Sequence, residues 1–230
     1  ADANEQFQQA IDIHPEDPAP WLARAFSNRS LDSVEEAQKD ARIAFELCSD
    51  RIQLEPEDYV AYYDRAHASE ILKDWDASHV DLEKVIEIEP DLFIGYISLA
   101  RTQIELKLLE EASLSSQKAI TLAENVGANP AWGYLYLGRI HELLEDPDKA
   151  RLYFNKAIEL APEVDYVHYK YGNFLAETGI PGDLLAAVNE YKTYIMLSSD
   201  KAQAHSVLAY FYTQQNRFDE ALAEYHTGLQ

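Results

Sequence analysis

The chain is short of the residues that would mark a secreted, metallated or membrane-spanning protein. One of its 230 residues is cysteine, so no internal disulfide can form. That residue, Cys48, falls on the apolar stripe of an expected helix and reads as a buried, unreactive thiol. Glycine and proline number only 8 and 9, too few for long disordered linkers. No apolar run approaches the roughly 18 residues of a membrane span. No secretory signal is visible, and the compartment is not legible. Basic residues are scarce: 19 Lys and Arg stand against 41 Asp and Glu, a formal net charge of −22. Such a surface repels nucleic acid and anionic lipid. It favours basic or neutral partners, unless the acidity serves solubility alone. There is no Gly-rich phosphate loop. The histidines at 14, 67, 79, 141, 168, 205 and 226 form no pair at three- or four-residue spacing, and no Cys/His cluster exists. Nothing asks for a cofactor, a metal or a catalytic role. The sequon Asn28-Arg29-Ser30 sits on an expected helix and reads as chance.

What is present is a recurring signature. Ala150, Phe154, Ala157 and Pro162 share their spacing with Ala3, Phe7, Ala10 and Pro15. Ser78, Leu82, Val85 and Pro90 are a looser copy, and Ala221, Tyr225 and Gly228 begin another. A period near 34 residues predicts stacked supersecondary units in place of one globular core. The segment around Tyr59 shows the unit. One helix is expected over 59–72, with Tyr62, Ala66 and Ser69 inward, then a turn at 73–76. A second helix follows over 76–88, with Ser78, Leu82, Val85 and Ile86 at helical spacing. Pro90 stops it. The divisions read 1–16 (a second helix only), 17–57 (a long repeat), 58–91, 92–129, 130–163, 164–200 and 201–230 (a partial last repeat), all in one solenoid. The chain is expected to be a fragment, since it starts without Met and inside a repeat.

The pattern resembles the tetratricopeptide repeat family. A small residue holds the eighth position of the repeat in Ala66, Ala100, Gly138, Gly172 and Ala209, and alanines and an aromatic mark the second helix. The resemblance implies an all-α, right-handed superhelical solenoid of antiparallel helix pairs. Packing gives the reason for the signature: the small residue lets the first helix approach the second, and the aromatic fills the space beside it. Two departures stand out. The second helix of the long repeat is expected over 33–54, roughly 33 Å, with Val34, Ala37, Ala41, Ala44, Cys48 and Ile52 on one stripe; it reads as an insertion or a docking ledge. The stretch Gly179 to Asp183 reads as a longer turn exposing Ile180.

The resemblance also implies that partners bind as extended segments or helices on the concave face lined by first helices. Helix geometry puts the second, fifth, ninth and twelfth positions there. This gives Tyr63 and His67, then Ile97 and Arg101, then Trp132, Leu135 and Arg139. Tyr166, Tyr169 and Asn173 follow with Lys170 beside them, and Ser206 and Tyr210 come last. Arg101, Arg139 and Asn173 form an expected row suited to a carboxylate or a peptide backbone. The alternative is that the arginines pair with Glu105, Glu142 and Glu177 at helical spacing. The two-carboxylate clamp of chaperone-tail binders in this family is not matched. The functional expectation is a scaffold that binds a protein or peptide in the groove, without nucleic acid or membrane insertion. The competing expectation is an architectural segment of a larger multidomain protein, which spaces another domain or self-associates through its ends, where Phe218, Leu222 and Tyr225 of the last helix are expected to be exposed. A weaker third is a module that binds a small anion.

Overall fold

The computed structural model describes residues 3–30 and 33–229. Residues 1, 2, 31, 32 and 230 of the expected repeats lie outside the described set. Among the described residues the chain is all-helical. It divides into two compact units, residues 1–125 and 126–230. The first holds α1 (Ala3–Ile13), α2 (Pro18–Ser30), α3 (Val34–Leu54), α4 (Tyr59–Ile71), α5 (Trp75–Ile88), α6 (Phe93–Glu105) and α7 (Leu109–Asn125). The second holds α8 (Ala131–Leu143), α9 (Pro147–Leu160), α10 (Asp165–Glu177), α11 (Pro181–Leu197), α12 (Lys201–Gln214) and α13 (Phe218–Gly228). The pairs α2/α3, α4/α5, α6/α7, α8/α9, α10/α11 and α12/α13 carry the densest packing.

Local chemistry sets the helix limits. Asp58, Asp74, Asp146 and Asp200 cap α4, α5, α9 and α12, each accepting the N–H three residues on at 2.9–3.2 Å. Pro147 and Pro181 open α9 and α11, where a missing N–H costs nothing. In the five pairs from α4/α5 to α12/α13 the chain turns between the helices through one left-handed residue: Lys73, Lys107, Glu145, Gly179 or Asn216, with φ of 56–66°. At four of these turns the next N–H reaches back five residues in a Schellman bond of 2.9 Å, as from Asp74 to the Ser69 carbonyl.

The packing rationale for the small eighth residue holds at atomic detail. A Cβ on Gly138 would meet the Phe154 ring at 3.0 Å, and one on Gly172 would meet Tyr191 at 2.8 Å. These rings head the core of the second unit, with Leu135, Leu175, Leu208 and Phe211. In the first unit two charge forks replace part of the apolar contact. Arg24 grips Asp40 through two bonds of 2.7 Å. Arg65 grips Asp81 at 2.9 and 2.7 Å. Both aspartates are almost wholly buried, and each fork joins the two helices of its pair.

The 21-residue α3 is as long as its stripe predicts. Ala37, Ala41, Ala44 and Cys48 are buried, whereas Val34 lies exposed at the first turn. The extra turns pack on α4 and are not a free ledge. Arg51 pairs with the capping Asp58 at 2.6 Å, and Ser49 accepts from Arg65 at 3.2 Å. Burial pushes the Cys48 thiol up to about 12. Asn28 of the sequon is also buried, donating to Asp40 at 3.3 Å.

Candidate interaction face

In the first unit, α4 and α6 bring Tyr63, His67 and Arg101 together around a carboxylate that sequence reasoning missed. Glu70 is buried, and its Oε2 meets His67 Nδ1 at 2.9 Å and the Arg101 guanidinium. Thr102 donates its hydroxyl to Glu70 Oε1 at 3.1 Å, and Ser78 lies 3.2 Å from Thr102. Tyr63 stands edge-on to His67 and shares a hydrogen bond with Ser98 at 3.2 Å. Burial alone would push the Glu70 carboxyl up. The His67 hydrogen bond and the Arg101 charge outweigh it and hold the group below its usual range. The partner of Arg101 is therefore Glu70 on the preceding first helix, and Glu105 is left exposed. A separation of 31 residues hides such a pair from any helical-spacing rule.

In the second unit, α8, α10 and α12 present an aromatic run. Trp132 stacks on Tyr166 at 5.8 Å, and Lys170 sits over Tyr166 and Tyr169 at 5.1 and 5.2 Å. Arg139 donates to Glu142 Oε2 at 2.6 Å. Asn173 accepts the Tyr191 hydroxyl at 2.9 Å. Leu135 does not line an accessible wall: it is fully buried in the core, where its size and position under α10 place it. Arg101 and Arg139 belong to different units, and each guanidinium is engaged by a glutamate.

Between α10 and α12 lies a cavity of about 550 Å³. Tyr169, Asn173, Ser206 and Tyr210 line it, as the position rule anticipates. Glu177, Gln203, Gln214 and Phe211 join them. Gln203 stands at the second position of its repeat, so the same rule reaches it. Glu177 and Gln214 stand at the thirteenth position, one beyond the rule. Tyr210 is 62% exposed, a large open side chain beside a concave surface.

Residues 131–164, spanning α8, α9 and the turn beyond, match the profile of the tetratricopeptide repeat. That segment is a tetratricopeptide repeat, and the chain as a whole resembles tetratricopeptide-repeat proteins. Small glutamine-rich tetratricopeptide repeat-containing protein 2 of Saccharomyces cerevisiae is 30% identical over 108 residues, 47% of this chain and 31% of that protein. The chain thus spans about a third of the length of this curated relative. Among solved structures, the APC/C hetero-tetramer Cut9–Hcn1 superposes with a TM-score of 0.66 at 17% identity, covering 97% of this chain and 42% of that one. The thermophilic tetratricopeptide-repeat protein TTC0263 of Thermus thermophilus gives 0.63 at 23% identity, covering 74% and 90%. These likenesses show the fold. Tetratricopeptide-repeat proteins are in general non-enzymatic scaffolds for protein–protein interaction. No helix among the described residues is long and apolar enough to cross a membrane.

Proposed function

We propose that this scaffold binds an extended peptide segment along the first helices of its second unit, seated in the cavity between α10 and α12. The observation that carries the reading is that cavity, about 550 Å³ and lined by Tyr169, Tyr210, Asn173 and Gln203 among others. Its volume is that of an ordinary ligand pocket. Tyrosines give broad contact at low entropic cost, and side-chain amides satisfy a peptide backbone. The paired arginines shift the centre of the expected face from guanidinium forks to tyrosines and amides.

Selection of displayed random peptides on the whole chain, followed by titration against variants, tests this. Tyr210→Ala and Ser206→Arg alter exposed cavity residues without touching the core. Each should weaken selected peptides by about tenfold or more. Leu114→Ala, at an exposed site of the first unit, should leave them unchanged. Peptides bound equally by all four proteins would place recognition elsewhere. A second reading rests on α13, where Phe218 and Leu222 are 61% and 57% exposed: self-association through that helix. It requires a concentration-dependent mass that Leu222→Glu abolishes.

A further inference from the structure

The cavity between α10 and α12 has a charge asymmetry that its shape does not require. Glu177 is the sole charged side chain among the described residues that line it. It is exposed, and no side chain among the described residues donates a hydrogen bond to it. Behind it, Glu142 of α8 is only 9% exposed. One oxygen of Glu142 takes the Arg139 N–H, and the other, Oε1, is buried without a hydrogen-bond partner. Burial pushes the Glu142 carboxyl up; Arg139 opposes this, the negative charge of Glu177 adds to it, and the Lys170 charge opposes it more weakly. Lys170, the one lysine of α10, is held over Tyr166 and Tyr169. Of the two neighbouring carboxylates, only Glu142 has a hydrogen-bonded guanidinium. The apolar side of the cavity is Ala176, Val207 and Phe211.

On the reading that this cavity seats a peptide, we infer that its occupant is a segment in which a large apolar side chain stands next to lysine or arginine. The apolar side chain packs on Val207 and Phe211. The cation meets Glu177 and supplies the ion pair that this carboxylate lacks among the described residues. The peptide backbone meets Asn173, Gln203 and Gln214. An acidic segment is disfavoured at the same point, since it adds a third negative group where two are under-compensated. The net charge of −22 acts in the same direction, drawing cationic segments in from a distance.

Two capped, dye-labelled probe peptides test this on the whole chain by fluorescence anisotropy. Both carry Leu-Phe, flanked by lysines in one and by glutamates in the other. The lysine probe should bind about tenfold tighter, and Glu177→Gln should cut that preference to about threefold. Tyr210→Ala should weaken the lysine probe, and added salt should narrow the preference. Equal binding of both probes, with both lost in Tyr210→Ala, would overturn the charge inference and leave the groove standing. Failure of the lysine probe at about 1 mM, an affinity near the weak end of specific binding, while display-selected peptides still depend on Tyr210, would do the same. If those selected peptides ignore Tyr210→Ala and Ser206→Arg, the groove reading itself fails and this inference goes with it.

Discussion

Gly172→Ala adds one methyl group where the structure leaves no room for it. The new Cβ would stand 2.8 Å from Tyr191 Cε1, 3.0 Å from Cδ1 and 3.3 Å from Cζ. The ring cannot swing clear: it is 3% exposed, its hydroxyl is bonded to Asn173, and Phe211 lies 5.5 Å away between centroids. Overpacking of this kind costs about 1–3 kcal/mol, and a pinned aromatic belongs in the upper half of that range. Replacing a mid-helix glycine by alanine returns about 1 kcal/mol of helix propensity. The net loss is about 1–2 kcal/mol. Gly182→Ala is the internal control, since nothing lies within 4 Å of its would-be Cβ; it should be neutral or stabilising by about 0.5 kcal/mol. The assay is thermal unfolding followed through Trp132 in a background of Trp21→Phe and Trp75→Phe, which leaves one tryptophan, in the second unit. At roughly 4–8 °C per kcal/mol for a unit of this size, Gly172→Ala should melt at least about 4 °C lower. Tyr191→Leu should recover part of that loss. A Gly172→Ala variant that melts at or above the parent would refute the close-approach argument.

Three more outcomes follow from the structure. His168 is buried, with Nδ1 2.6 Å from Glu190 Oε2 and Nε2 donating to the Pro162 carbonyl at 2.9 Å. The Glu190 hydrogen bond raises its pKa, against burial, so the imidazolium is favoured in the folded state. Its stabilisation is complete below the ordinary value of about 6.5 and is lost as pH rises through the higher folded value. Urea midpoints measured across that window should fall for the parent and stay flatter for His168→Gln. Glycine at left-handed positions, as in Lys107→Gly or Glu145→Gly, should add about 0.5–1 kcal/mol each in the same assay, because the left-handed cost relieved exceeds the effect of the entropy that glycine adds to the unfolded chain. Asp81→Ala strands Arg65 and should cost about 3 kcal/mol, while Arg65→Leu with Asp81→Leu should recover most of it in a double-mutant cycle.

The helix pairs are legible in the sequence because their signature is steric and local. Small residues, aromatics and prolines recur at fixed offsets, and Gly138 with Phe154 and Gly172 with Tyr191 meet for the reason the pattern implies. Helix limits come out within a residue or two: 59–72 is expected where Tyr59–Ile71 is found, and 33–54 where Val34–Leu54 is found. The left-handed turns are not legible, since Lys, Lys, Glu and Asn have no common preference that announces them and the Schellman bonds hold them in place. The polar contacts between helices are hidden by distance along the chain. Arg24 and Asp40, Arg65 and Asp81, and Arg101 and Glu70 are 16, 16 and 31 residues apart. At the candidate site the position rule reaches Tyr169, Asn173 and Tyr210. It misplaces Leu135, because equal positions in successive repeats are not equally covered, and it stops one residue short of Glu177.

Cys48 gives the molecule a chemical clock. It is the only thiol in the chain, it has no exposed surface, and it belongs to the first unit. A reagent can reach it only when α3 opens, so its labelling rate counts openings of that unit. The second unit has no thiol and contributes nothing to the signal, while Trp132 watches that unit by light. In the Trp21→Phe, Trp75→Phe background, thiol labelling and Trp132 emission in one sample therefore time the two halves separately, without adding a probe to the protein.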